Sequence, residues 1–240
     1  MKTFLIFCIS IFLIVNVNSQ NGRVMISEKT VVRDSSGNIY PFDVWRQLIL
    51  TGSCGLKAVD STNKNSDLII FKYTDKERAE RIEKMPRPKE SLSFRTGKKI
   101  PLFNTSDIND KKVNLKKETG KIIVLNFWFI NCPPCVAEIP DLNELTNSYK
   151  EKDSVLFIAV ALDGAGDLKD FLNETAFNYT IVNNGKFLAQ RYNIQSYPTH
   201  VVIDAGGKVY FHTSGLAINT LYWLKKSIDE LLSANNLFKN

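Results

Sequence analysis

The sequence predicts an α/β fold: a central mixed sheet with helices on both faces, preceded by a small N-terminal α+β extension. Three observations lead there. Ile122–Phe129 is a near-continuous apolar run that passes straight into a helical pattern. Val155–Leu162 is a second such run, one crossover helix later. Thr199–Asp204 and Val209–Thr213 flank Ala205-Gly206-Gly207-Lys208, a hairpin signal, and an amphipathic terminal helix follows. Buried parallel strands read as unbroken apolar runs, and one-sided helices place apolar residues every three or four positions. Helices on both faces are the way such a sheet is covered.

Composition narrows the class. With 44% hydrophobic and 23% charged residues in 240, the chain is neither disordered nor a multi-span membrane protein. The net charge of +6 comes from lysine pairs scattered among acids, with no arginine-rich stretch interleaved with aromatics. That pattern excludes nucleic acid as an expected partner.

Taken in order, the elements begin with a leader. Lys2 precedes an apolar run from Phe4 to Val15, and Val17-Asn18-Ser19 offers a small-residue exit. This is the pattern of a signal peptide over residues 1–19, too short for a comfortable membrane span. Cys8 lies inside it. The rest of the chain is therefore expected to be exported, soluble and periplasmic, with an uncleaved anchor as the alternative; that compartment permits disulfides. Residues 20–96 form the extension. Within it, Thr30–Arg33 and Ile39–Phe42 flank a turn cluster at Asp34-Ser35-Ser36-Gly37. Leu68–Tyr73 reads as a strand, and Glu77 with Arg81 and Glu80 with Lys84 are helical pairs before Pro86. Met85–Lys89 is the linker candidate.

The main domain is expected over residues 97–240. After the first strand, Val136, Ile139, Leu142 and Leu145 make one apolar helical stripe. The crossover to Val155–Leu162 implies parallel strands. Asp167 is the expected N-cap of a helix from Leu168 to about Thr175. Leu221, Leu224, Ile228, Leu231 and Leu232 give the terminal helix.

The chemistry concentrates in Cys132-Pro133-Pro134-Cys135, set where the strand enters the helix. A zinc half-site would need a second ligand pair, and His200 and His212 each stand alone, so no metal is expected. A purely structural disulfide would close so short a loop that it would constrain little of the unfolded chain. A redox-active dithiol is the third reading, and the strand–helix context favours it. Prolines suit a first helical turn, which puts Cys132 at the helix N-terminus, where unpaired N–H groups and the positive dipole end stabilise a thiolate. Cys135, one turn on, faces inward as the resolving thiol. Cys54, in Gly52-Ser53-Cys54-Gly55, is the odd cysteine and is read as a turn residue without a catalytic part.

The residues Asn126-Phe127-Trp128, Cys132-Pro133-Pro134-Cys135, Glu138, Pro140 and Tyr197-Pro198-Thr199 resemble the thioredoxin superfamily, and within it the exported TlpA/ResA-like thiol-disulfide oxidoreductases. Over residues 97–240 the match is specific; residues 20–96 resemble the extension of Bacteroidetes-type members. The resemblance implies a thioredoxin-like fold, a helix-kinking Pro140, a cis Pro198 and a functional Glu138. It also implies protein or peptide disulfide substrates such as those of apocytochromes, a membrane electron donor of the thiol-transfer type and no cofactor. Two departures stand out: Asn126 occupies the place of thioredoxin's buried acid, and Asn131 that of the tryptophan before the first cysteine. With Asn126 unable to titrate, Glu138 is the expected proton acceptor for Cys135, on the same helical face. Tyr197 and Pro198 would line a peptide-binding edge. Trp128 is also a candidate substrate contact, although core packing is the plainer reading. The two histidines are read as structural.

A peroxiredoxin-like peroxidase is the alternative enzyme on this fold. Its Pro-x-x-x-Thr-x-x-Cys frame is missing, since Leu125 and Phe129 stand at the two places. A non-catalytic binding module would not need an intact dithiol.

Overall fold

The computed structural model describes residues 26–237, so the expected signal peptide, Cys8 included, lies outside the described residues. The chain divides between Lys84 and Met85 into two compact units.

In the first unit, β1 (Val32–Arg33), β2 (Ile39–Tyr40), α1 (Phe42–Leu50), β3 (Cys54–Ala58), β4 (Leu68–Lys72) and α2 (Asp75–Lys84) follow one another. Its four strands lie in the order β2-β1-β4-β3. The β1–β2 turn is held by Asp34, whose Oδ1 accepts the N–H groups of Ser36 and Asn38. Gly37 there has φ +89°, a conformation costly to any residue with a Cβ. Val32, Trp45, Leu56, Ala58, Leu68 and Ile70 form the core. α2 opens on a reciprocal cap: the Thr74 N–H donates to Glu77 and the Glu77 N–H to Thr74 Oγ1. The expected turn at Cys54 is a strand instead, with Cys54 opposite Lys72. The turn falls earlier, at Gly52 with φ +70°.

The second unit holds β5 (Asn104–Ser106), β6 (Lys112–Asn114), β7 (Ile122–Trp128), α3 (Pro133–Ala137), α4 (Ile139–Ser148), β8 (Val155–Ala161) and α5 (Ala165–Glu174). It continues with β9 (Thr180–Val182), α6 (Lys186–Arg191), β10 (Thr199–Ile203), β11 (Val209–Ser214) and α7 (Thr220–Leu237). The main sheet runs β11-β10-β7-β8-β9. The β7–β8 and β8–β9 pairs are parallel; β10 is antiparallel to both β7 and β11. This is the mixed α/β sheet expected, with a thioredoxin-like arrangement.

Strand alternation explains the two cores. Ile122, Val124 and Trp128 of β7 join Ala159 of β8, Val202 of β10, Ile139 and Leu142 of α4, and Leu224 and Ile228 of α7 on one face. Ile123, Leu125 and Phe127 join Val160, Val201, Phe94 and Leu188 on the other. One helix breaks in two: Pro140 has no N–H to give to the carbonyl four residues back, and α3 ends at Ala137 before α4 starts at Ile139. α5 begins three residues earlier than expected, with Gly164 as N-cap. Asp167 thus lies inside the first turn, where a negative charge suits the dipole but no cap is made.

The second unit also starts earlier than position 97. Residues 85–96 lie along β11: the Thr213 hydroxyl donates to the Lys89 carbonyl, the Ser91 N–H donates to His212 Nδ1, and Phe94 is buried. Apolar contacts and backbone pairing with β11 outweigh the proline-rich composition that suggests a linker.

Candidate active site

The C-terminal end of β7 delivers the dithiol. Past Trp128 the chain turns through residues 129–131, and Cys132 becomes the N-cap of α3 with extended backbone angles. Its N–H donates to the Phe129 carbonyl, and its own carbonyl accepts the Val136 N–H at 3.1 Å, the first bond of the helix. Pro133 and Pro134 fill the first helical positions, where no N–H is needed. Cys132 and Cys135 are joined in a disulfide with Cα atoms 5.3 Å apart, and both are almost wholly buried. Ile130, two residues upstream, donates its N–H to Asp163 Oδ2 at 2.9 Å.

Tyr197 and Pro198 reach the same end of the sheet. Thr199, the first residue of β10, pairs with Phe127, near the end of β7. The Tyr197–Pro198 peptide is cis. The Tyr197 ring packs edge-on against Phe129 of the dithiol loop, centroids 5.3 Å apart. Trp128 has a different place from the substrate contact considered above. It is fully buried, with Phe171 and Phe177 5.7 and 5.3 Å from its ring. Alternation turns it into the sheet's core, where truncating such a side chain to Ala typically costs about 3–5 kcal/mol.

Glu138 sits at the break between α3 and α4. Its backbone stays right-handed helical (φ −92°, ψ −8°), so the one-turn relation to Cys135 survives the break. The side chain is buried, 7% exposed. Its Oε1 lies 2.7 Å from His200 Nε2, and its Oε2 has no hydrogen-bond partner. His200, read from the sequence as a structural histidine, is therefore the residue that sequence reasoning missed. It stands opposite Asn126 across the β10–β7 ladder, and both side chains are buried on the face that carries Cys135. Tyr179, just before β9, completes the polar group. Burial, and then the nearby Glu138 carboxyl, hold its phenol well above the ordinary value, so it stays neutral.

Among the described residues, no group of three His, Cys, Asp or Glu side chains is placed to hold a metal ion, and no helix is long and apolar enough to cross a membrane.

Comparison with known proteins fits this geometry. Residues 96–212 match the AhpC/TSA family. The chain is 37% identical over 115 residues to the thiol-disulfide oxidoreductase ResA of Bacillus thuringiensis (strain Al Hakam). That match spans 47% of this chain and 66% of the relative, just under two thirds of its length. ResA of Bacillus thuringiensis subsp. konkukian is 36% identical over 121 residues, spanning 50% of this chain and 69% of the relative. Among solved structures, a Chlorobium tepidum protein assigned as thiol:disulfide interchange protein DsbE superposes with TM-score 0.53 at 29% identity, over 58% of this chain and 99% of that one. A Bacteroides thetaiotaomicron protein assigned as a protein disulfide isomerase shares the fold, with TM-score 0.54 at 21% identity over 61% of this chain and 94% of that one. The fold, the dithiol at a helix N-terminus and this degree of identity agree: the chain belongs to the ResA-like thiol-disulfide oxidoreductases.

Proposed function

We propose that this protein reduces disulfides of exported proteins through Cys132 and Cys135. The observation that carries the reading is the Cys132–Cys135 pair itself, with Cys132 capping α3. In the reduced state Cys132 attacks one sulfur of a substrate disulfide, and the displaced substrate thiolate takes up a proton. Cys135 then loses its proton and attacks Cys132. The Cys132–Cys135 bond forms, the mixed disulfide breaks, and the substrate leaves fully reduced, two electrons richer. An external dithiol, which we take to be a membrane electron donor of the thiol-transfer type, returns those electrons.

Substrate peptide would lie along Tyr197 and Pro198, beside the Phe129–Tyr197 aromatic pair, as an added extended strand. Glu138 would accept the Cys135 proton; its buried Oε2, free of other partners, supports that role. A signal peptide over residues 1–19 and a periplasmic location belong to the same reading. Peroxide reduction has no comparable support, because Leu125 and Phe129 occupy the places where a peroxidatic frame needs Pro and Thr.

The deciding measurement is the reduction potential of the Cys132–Cys135 couple, equilibrated against glutathione buffers. A potential more reducing than glutathione, with insulin disulfides reduced at the expense of dithiothreitol, is the expected result. An oxidising potential would make the protein a disulfide donor, and turnover of hydrogen peroxide without disulfide reduction would make it a peroxidase.

A further inference from the structure

We propose that His200 is a positioning residue for the dithiol: its Nε2–H holds Glu138 Oε1 and leaves Oε2 free to accept the Cys135 proton. The inference deepens the disulfide-reductase reading and rests on it.

It starts from strand alternation. β10 reads Thr199-His200-Val201-Val202-Ile203, and all five residues are buried. Val201 and Ile203 enter one core, and Val202 enters the other. His200 is two residues from Val202, so it points into the core that also contains Cys132 and Cys135. A fully buried histidine on that face needs a partner, because an unpaired polar group in such a place is costly. Its partner is Glu138, 62 residues earlier, at 2.7 Å.

Hydrogen-bond accounting then sets the protonation of the pair. His200 Nδ1 has no partner. Were Nδ1 protonated, a buried N–H donor would be left unmet; with the proton on Nε2 only, a bare lone pair is left, which costs less. His200 is therefore the neutral Nε2–H tautomer, and Glu138 is its anionic acceptor. One carboxylate oxygen is fixed by a charge-assisted bond and the other is open. Glu138 follows Cys135 by one helical turn, so the open oxygen belongs to the group best placed to receive the thiol proton. The groups set against this carboxylate are His200 on β10 and Tyr179 ahead of β9, and Cys135 lies one helical turn before it in sequence. Tyr179 stays protonated, and Asn126 beside His200 does not titrate.

The step balances without any further reactant. The Cys135 S–H bond breaks, and its proton goes to Glu138 Oε2. The thiolate displaces the substrate sulfur from Cys132, forming the Cys132–Cys135 bond. Glu138 later returns its proton to solvent. His200 keeps its own proton throughout and turns over nothing.

Gln and Asn separate this role from mere core filling. In His200→Gln the amide N–H falls where Nε2–H stood; in His200→Asn it falls one bond short, where Nδ1 has no partner. The full-length protein, reduced and carrying Cys8→Ser and Cys54→Ser so that only the dithiol reports, is reacted with 5,5′-dithiobis(2-nitrobenzoate). The first release of nitrothiobenzoate reports attack by Cys132, and the second reports resolution by Cys135. We expect His200→Gln to resolve within about threefold of the parent. His200→Asn should be about tenfold slower at pH 7, because the carboxylate loses the charge-assisted bond that fixes Oε1. In a Glu138→Gln background, His200→Asn should add nothing further. Equal slowing by Gln and Asn, no slowing by either, or an added loss on Glu138→Gln overturns the proposal. Nitrogen chemical shifts of the parent protein give a variant-free check: the neutral Nε2–H tautomer of His200 is expected, and an Nδ1–H tautomer overturns it. If Cys132→Ser keeps the first release at the parent rate, the disulfide-reductase reading itself fails, and that result is distinct from a failure at His200.

Discussion

The Asp163 carboxylate accepts the Ile130 N–H at 2.9 Å, two residues before Cys132. The same residue's carbonyl accepts the Asn184 N–H at 2.8 Å, and the neighbouring Gly185 N–H donates to Ala161 at 2.7 Å. The end of β8, the dithiol loop and the loop leading into α6 are therefore pinned at one point. Gly185 has no room for a side chain there: an added Cβ would approach Val160 Cγ1 to 2.4 Å and the Ala161 carbonyl to 2.7 Å.

That arrangement predicts the behaviour of Asp163→Ala. The Ile130 N–H loses its acceptor in a partly buried loop, which costs about 1–3 kcal/mol. The denaturant midpoint should fall accordingly, and alkylation of reduced Cys132 should change in rate because its loop has lost a fixed point. Asp163→Asn keeps an acceptor oxygen and should lose less. Wild-type midpoint and wild-type labelling in Asp163→Ala would show that the tie does not support the dithiol.

The two cysteines should separate cleanly by substitution. Cys132 caps α3 at the positive end of the helix dipole, and that position favours a thiolate. Its apparent pKa in the reduced protein should lie below the free thiol value of about 8.5. Cys135→Ala should accumulate a covalent adduct between Cys132 and a disulfide-bearing peptide, visible by mass spectrometry, whereas Cys132→Ala should form none. Accumulation in the Cys132→Ala protein would reverse the two roles.

What the sequence made legible follows from period and length. β7, β8, the β10–β11 hairpin and α7 announce themselves because each repeats one local pattern over five or more residues. α1 did not, although Phe42, Trp45, Leu48 and Ile49 recur at helical spacing, because the stripe spans only about two turns and no capping side chain marks its start. β5, β6 and β9 are three residues each, too short for alternation to register. The site divides along the same line. Cys132, Cys135 and Glu138 lie within seven residues, so their geometry is local. His200 joins them only through the pairing of β10 with β7, which no spacing argument reveals. One signal was present: a lone histidine within Thr199–Ile203, on the face otherwise turned to the core, had to find a polar partner.

Cys54 should be dispensable for the redox reaction. It lies in β3 of the first unit, while both dithiol cysteines lie in the second. Burial holds its thiol above the ordinary value, only partly opposed by the Lys72 ammonium, so at neutral pH it is a poor nucleophile. Cys54→Ser should reduce insulin at the wild-type rate, within about twofold, and should remove one slow, minor site of alkylation. A drop in turnover of tenfold would bring the first unit into electron transfer.

His212 should give the second unit an acid limit on stability. The ring is 1% exposed, and its Nδ1 accepts the Ser91 N–H at 3.1 Å, a bond that exists only while that nitrogen keeps its lone pair. Burial is the main influence and holds its pKa below the ordinary 6.5; Arg87 acts in the same direction and the Glu90 carboxylate opposes both. The sign follows from which state binds the proton more readily. Near and above pH 7, His212 is neutral in the folded and unfolded chains alike and its shift costs nothing. As pH falls below about 6.5, the unfolded chain takes up the proton first, so stability declines by up to about 1.4 kcal/mol per pH unit until the folded ring also protonates. His212→Asn supplies an amide oxygen to Ser91 in place of Nδ1 and cannot titrate. Denaturant midpoints measured from pH 7.5 to 5 should therefore fall less steeply in His212→Asn than in the wild type, with the difference opening below pH 6.5. Carboxylates contribute equally to both curves at the low end, so the difference between them isolates the histidine. Parallel curves across that range would mean that His212 takes up its proton alike in the folded and unfolded chains and that the acid limit lies elsewhere.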